Sequence, residues 1–169
     1  MNESDEIKKK IKNINDRLIM LENIIKKKTN KYMESEKNLD YLSKKVNASI
    51  TLLKQIFEFE GDNIMLLKIP GVNTKKQIQE STLLILLAFK YYIKKEEILS
   101  TEIKKILSEH GIPLNNFATH LKEIIPLFIR TIGKKKSTNI SYRLTIPGEV
   151  RAVEILKNSL ERGEIYERR

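Results

Sequence analysis

The sequence predicts a mainly α-helical chain, with a long N-terminal coiled-coil helix ahead of a smaller helical domain that carries a β-hairpin. Three observations predict it. No glycine or proline precedes Gly61, whereas all 6 glycines and all 4 prolines lie from there onward. Within the breaker-free stretch, apolar residues recur at alternating spacings of four and three. Beyond Thr74, capping residues, glycine stops and short alternating runs follow one another at the spacing of helices and strands. The expected divisions are a coiled coil over 5–60, a linker over 61–73, a folded domain over 74–162 and a tail over 163–169.

The coil carries the clearest periodicity. One seam set is Ile7, Ile14, Leu21, Lys28, Ser35, Leu42, Ser49 and Ile56; the other is Ile11, Leu18, Ile25, Tyr32, Leu39, Val46 and Leu53. Of these 15 positions 12 are apolar, which is what a heptad seam between two helices requires. The predicted dimerisation residues are therefore Ile7, Ile11, Ile14, Leu18, Leu21, Ile25, Tyr32, Leu39, Leu42, Val46, Leu53 and Ile56. In a parallel, in-register homodimer Arg17 meets Glu22′ and Lys31 meets Glu36′, with opposite signs, while Lys10 with Asn15′ and Asn38 with Ser43′ are neutral or polar. Lys28, Ser35 and the bulky Tyr32 weaken the middle of the seam. No glycine, proline or turn cluster near 28–35 favours a fold-back hairpin there. Gly61-Asp62-Asn63 is expected to stop the helix, and 64–69 reads as a strand or a packed linker.

From Thr74, which resembles a capping box with Gln77, a largely buried helix is expected to about Ile93. Ser100 or Thr101 is suited to cap a second helix, with Ile103, Ile106 and Leu107 on one face and Gly111 at its end. A third helix is expected from about Leu114 to Ile125, burying Leu114, Phe117, Ala118, Leu121, Ile124 and Ile125. Residues 128–132 and 140–146 read as two strands around a basic loop, and Pro147 and Gly148 open a last helix.

Composition narrows the function. The formal net charge is +10, which favours anionic partners, chiefly nucleic acid or acidic membrane. Cysteine is absent, removing disulfides, thiolate metal sites and cysteine nucleophiles. His110 and His120 are ten apart without a helical partner, so no metal site is expected. Neither a phosphate-cradling glycine loop nor a nucleophile elbow appears, and no catalytic residue or cofactor is expected. The longest apolar run, 83–89, is far shorter than the roughly 20 residues of a membrane span. A soluble cytoplasmic protein without membrane contact is the expectation, nucleoid-associated if prokaryotic.

The segments Ser100-Thr101-Glu102-Ile103-Lys104-Lys105-Ile106-Leu107, Gly111-Ile112-Pro113 and the helix through Leu121, followed by Tyr142-Arg143-Leu144-Thr145-Ile146-Pro147-Gly148, form a recognisable succession. It resembles the winged helix-turn-helix superfamily over about residues 75–160. That resemblance implies a third helix in the DNA major groove and a hairpin on phosphate or the minor groove. Carried onto this chain, it assigns DNA contact to Asn115, Asn116, Thr119, His120 and Lys122 on the helix, and to Lys134, Lys135, Lys136, Ser137, Thr138 and Arg143 around the hairpin. Asparagine suits adenine, and lysine suits phosphate or guanine. The third helix has one lysine and no arginine, which leaves base-specific and phosphate-dominated binding both open. The function implied is a homodimeric protein on double-stranded DNA, a transcriptional regulator or DNA-organising factor. The alternative is a scaffold or adaptor whose coil and winged helix contact protein partners.

Overall fold

A computed structural model describes residues 3–133 and 140–166; Lys134, Lys135, Lys136, Ser137 and Thr138 lie outside the described residues. Among the described residues the chain is mainly helical with two small antiparallel sheets. It divides into two compact units, Met1–Lys37 and Asn38–Arg169.

The first unit belongs to helix α1 (Glu3–Val46), which runs unbroken as expected for a stretch without glycine or proline. No hairpin interrupts it near 28–35. Ile7, Ile11, Ile14, Leu18, Leu21, Ile25 and Tyr32 are all half or more exposed, from 51% at Leu18 to 65% at Tyr32.

The second unit starts with the last turns of α1, and here the expected seam is corrected. Leu39, Leu42 and Val46, with Leu53 and Ile56 further on, are buried in the chain's own core and are not available to a partner helix. The long helix stops at Val46 and not at Gly61. Asn47 takes the left-handed conformation (φ 51°), which asparagine tolerates better than most residues. The Ser43 hydroxyl donates to the Ala48 carbonyl at 2.6 Å, closing the turn. Ser49 then caps a short helix α2 (Ile50–Ile56) by accepting from the Leu52 amide at 3.2 Å.

Residues 57–66, expected to divide between coil and linker, form a β-hairpin. Its strands are β1 (Phe57–Glu60) and β2 (Asn63–Leu66). Phe57 pairs with Leu66 and Phe59 with Ile64, so one face of the ladder is apolar; Glu58, Glu60, Asn63 and Met65 occupy the other. This period of two is the strand signal in Phe57-Glu58-Phe59-Glu60. Gly61 (φ 60°) supplies the turn.

Helix α3 (Thr74–Ala88) is capped by Asn73, whose side chain accepts from the Lys76 amide at 3.0 Å, one residue earlier than the expected Thr74. It continues through a π-helical turn, Phe89–Ile93, and stops at Lys94, which is left-handed (φ 64°). The Lys94 ammonium lies 3.5 Å from the centre of the Tyr41 ring, a cation–π contact that helps hold the strained residue. Every residue from Leu83 to Phe89 is buried, which makes α3 the axis of the unit.

The remaining order is β3 (Ile98–Leu99), α4 (Ser100–Glu109), α5 (Phe117–Leu121), β4 (Ile129–Ile132), β5 (Ser141–Leu144) and α6 (Ile146–Tyr166). The second sheet has the antiparallel order β3-β5-β4. Neither Ser100 nor Thr101 caps α4: Leu99 occupies the cap position without a side-chain bond, and the Ser100 amide donates to the Ile140 carbonyl at 2.8 Å. The strand β3 thus feeds straight into the helix.

The third helix is shorter than the expected 114–125. Its ends tighten into three-residue turns, with the Phe117 amide donating to Leu114 (3.0 Å), Lys122 to Thr119 (3.3 Å) and Ile124 to Leu121 (3.0 Å). Pro126, which has no amide proton and disfavours helix at the residue before it, prevents continuation. Phe117, Leu121 and Ile124 are buried as expected, whereas Ala118 is exposed.

Leu42→Ala and Leu53→Ala should each destabilise the second unit by about 2–5 kcal/mol, the usual result of emptying a buried leucine site. The loss should be the same at every protein concentration in urea unfolding. A loss that varies with concentration would return these side chains to an intermolecular seam.

Candidate nucleic-acid interface

The connection between α4 and α5 begins at Gly111 (φ 68°), where the chain turns without a side chain to strain it. Beyond it Asn115, Asn116, Thr119 and Lys122 are exposed. Phe117 and Leu121 point the opposite way into the core, so the polar residues are held on an anchored segment. The Phe117 ring meets Tyr142 of β5 edge-on, with centroids 6.4 Å apart. Burial pushes the Tyr142 phenol above its ordinary range, in keeping with a structural role.

A second anchor comes from α3. The buried Gln79 amide donates to the His120 carbonyl at 2.8 Å and reaches Glu123 at 3.4 Å. His120 is half-buried, and its carbonyl is committed to this bond. Glu123 pairs with Lys75 at 2.6 Å, and that neighbouring ammonium holds its carboxyl below the usual carboxylate range. The one acid within this polar stretch is therefore partly neutralised.

The hairpin β4–β5 contributes Arg143 and a further residue that the sequence alone does not single out. Arg130 stands directly opposite Arg143 in the ladder, and Thr131 opposite Tyr142. Residues directly opposite share a face, and like charges placed there repel. Glu97 lies 4.0 Å from Arg143, an ion pair at the limit of contact. Among the described residues no carboxylate pairs with Arg130, so the base of the hairpin carries uncompensated positive charge. Arg130 becomes legible only through the register of the two strands, since a single arginine in an alternating run carries no signal.

The segment Thr145-Ile146-Pro147-Gly148 fixes this hairpin to the body of the unit. The Thr145 amide donates to the Phe128 carbonyl at 3.0 Å, and its hydroxyl donates to the Leu127 carbonyl at 2.5 Å. The same hydroxyl accepts from the Gly148 amide at 3.0 Å, capping α6. A Cβ on Gly148 would sit 1.8 Å from the Phe128 oxygen, so only glycine fits. One residue further, Glu149 binds both the Lys90 ammonium and the Tyr91 hydroxyl, tying α6 to the π-helical end of α3. Burial and the Glu149 carboxylate together raise the Tyr91 phenol well above its ordinary range.

Among the described residues no cluster of three histidine, cysteine or acidic side chains is placed to hold a metal ion. No described helix is long and apolar enough to cross a membrane. Comparison with protein-family models, with curated proteins and with solved structures gives no match to this chain.

The two glycines separate space from conformation. Gly148→Ala should destabilise the second unit by about 3 kcal/mol or more through the clash with Phe128. Gly111→Ala, which meets nothing within 4 Å but has a positive φ, should cost only about 1–2 kcal/mol. Thermal unfolding of both variants checks the order, and a milder effect at Gly148 would contradict the described packing.

Proposed function

We propose that the chain is a homodimeric DNA-binding protein, a transcriptional regulator or DNA-organising factor, whose second unit is a winged helix-turn-helix domain. The observation that carries this reading is topological. Helix α3, strand β3, helices α4 and α5 and the hairpin β4–β5 follow in the winged-helix order, with the returning strand β5 between the other two. In this reading α5 and its flanks face a groove of the duplex, with Asn115, Asn116, Thr119 and Lys122 exposed to it. Arg130 and Arg143 address phosphate from the hairpin, together with Lys134, Lys135 and Lys136, which lie between its strands in the sequence.

Chemistry supports phosphate contact more than base reading. The α5 stretch is short and offers one lysine, whereas the hairpin sequence concentrates five cations between 130 and 143. A formal charge of +10 adds long-range attraction to any duplex. Affinity dominated by phosphate falls steeply with salt, because each neutralised phosphate releases condensed counterion.

A second reading, an adaptor that docks on protein, is favoured by one surface. An open groove of about 690 Å³ is lined by Lys76, Phe128, Ile146, Pro147, Val150, Arg151 and Glu154. Ile146 is 80% exposed and Val150 58%. Exposed apolar side chains gathered in a groove are more typical of protein contact than of DNA contact.

A salt series of duplex binding separates the two readings. Steep weakening with salt is expected. Arg130→Ala with Arg143→Ala should lower affinity for all sequences and reduce the log–log salt slope by roughly one for each phosphate no longer neutralised. Replacing Lys134, Lys135 and Lys136 with alanine should act in the same direction. Unchanged affinity in folded variants would remove the hairpin from the interface, and no binding at low salt would favour the adaptor.

A further inference from the structure

The first unit presents a face that a lone chain cannot cover. Ile7, Ile11, Ile14, Leu18, Leu21 and Ile25 recur at spacings of four and three along α1, Tyr32 follows one heptad after Ile25, and each is more than half exposed. A single helix gains nothing from such a stripe in water; burying it against another helix is what stabilises it. From Leu39 onward the same periodicity is satisfied inside the second unit, so the open seam ends before that residue.

We infer that this face pairs with the same face of a second copy, as a parallel, in-register, two-stranded coil confined to about residues 7–35. The inference rests on the homodimeric part of the proposed function and not on its DNA-binding part.

Charge beside the seam selects the orientation. With Ile7, Ile14 and Leu21 at d, one flanking row (g) holds Lys10, Arg17, Ile24 and Lys31, and the other (e) holds Asn15, Glu22, Thr29 and Glu36, with Lys8 as its basic exception. A parallel pair sets each g residue against the e residue five places on in its partner. Arg17 then meets Glu22′, Lys31 meets Glu36′, Lys10 meets Asn15′ and Ile24 meets Thr29′, with no like-charge contact. An antiparallel pair sets g against g′ and e against e′. That brings Lys10, Arg17 and Lys31 against the same basic row, and Glu22 and Glu36 against the same acidic one. Attraction therefore prevails in the parallel orientation, and the antiparallel one offers only Lys8 against Glu36′ in compensation.

Lys28 selects the number of strands. It sits at a d position, where its stem lines the seam and its ammonium reaches water past the edge of a two-stranded coil. A third strand would close the axis around it and leave a buried, unpaired charge.

The chain contains no cysteine, so single-cysteine variants of the whole protein report the geometry directly. Under mild oxidation Ile14→Cys should cross-link almost completely, since a disulfide needs Cα atoms about 4.4–6.8 Å apart and an in-register seam provides that. Asp16→Cys, on the outer face, should not. In an antiparallel pair centred on the seam the two Cys side chains at position 14 would lie roughly 20 Å apart along the axis. Sedimentation should give the mass of two copies. Glu22→Lys with Glu36→Lys should weaken pairing roughly tenfold, and adding Arg17→Glu with Lys31→Glu should restore it. A dimer that fails to cross-link at position 14, a trimer, or a chain that stays monomeric at tens of micromolar would each overturn the inference. DNA binding by an unpaired chain would overturn this inference and the homodimeric part of the proposed function, and would leave the DNA-binding part standing. A parallel dimer without DNA affinity would uphold it and overturn only the DNA-binding reading.

Discussion

A stretch of α-helix that is apolar around its whole circumference is stable only when every side is covered, and the C-terminal half of α3 imposes that demand on the second unit. Seven consecutive residues, from Leu83 to Phe89, are buried. No single partner can cover such a helix. The last turns of α1, the short α2, the hairpin β1–β2, α4, α5, the sheet and α6 contribute to one continuous core with it. Gln79 uses the same helix to fix the backbone at His120, and the π-helical turn places Lys90 and Tyr91 against Glu149 of α6. The exposed polar residues of α5 and the arginines of β4 and β5 keep their places because their buried neighbours have nowhere else to go.

Much of this is legible in the sequence, and the departures have a common cause. The breaker-free N-terminus, the buried helix after Asn73, the glycine stop at Gly111 and the strand–loop–strand alternation after 128 all have local signals. The seam residues Leu39, Leu42, Val46, Leu53 and Ile56 also carry a signal, but their cover lies within the chain. Periodicity of three and four says that a face is covered; it does not say whether the cover is another chain or the same one. Residues 57–60 are masked by the tail of that pattern, although their alternation of phenylalanine and glutamate has the period of a strand. The third helix looks longer than it is because its apolar spacing continues to Ile125 while the backbone has already tightened ahead of Pro126.

The candidate interface is legible to the same degree. Polar exposure of Asn115, Asn116, Thr119 and Lys122 follows from the burial of Phe117 and Leu121 between them, which spacing reveals. The role of Arg130 does not, because its meaning depends on standing opposite Arg143, a property of register. Gly148 is intermediate. The phrase Thr145-Ile146-Pro147-Gly148 is visible in sequence, but its reason, the Phe128 carbonyl that leaves no room for a side chain, exists only in three dimensions.

The central claim is that the second unit meets nucleic acid through α5 and the β4–β5 hairpin. Backbone amide NMR of the intact protein during titration with a short duplex tests it most directly. The account predicts that the largest shifts at low salt fall on Asn115, Asn116, Thr119, Lys122, Arg130 and Arg143. Shifts gathered instead around Leu127, Ile146 and Val150, or no shifts at all, would contradict it.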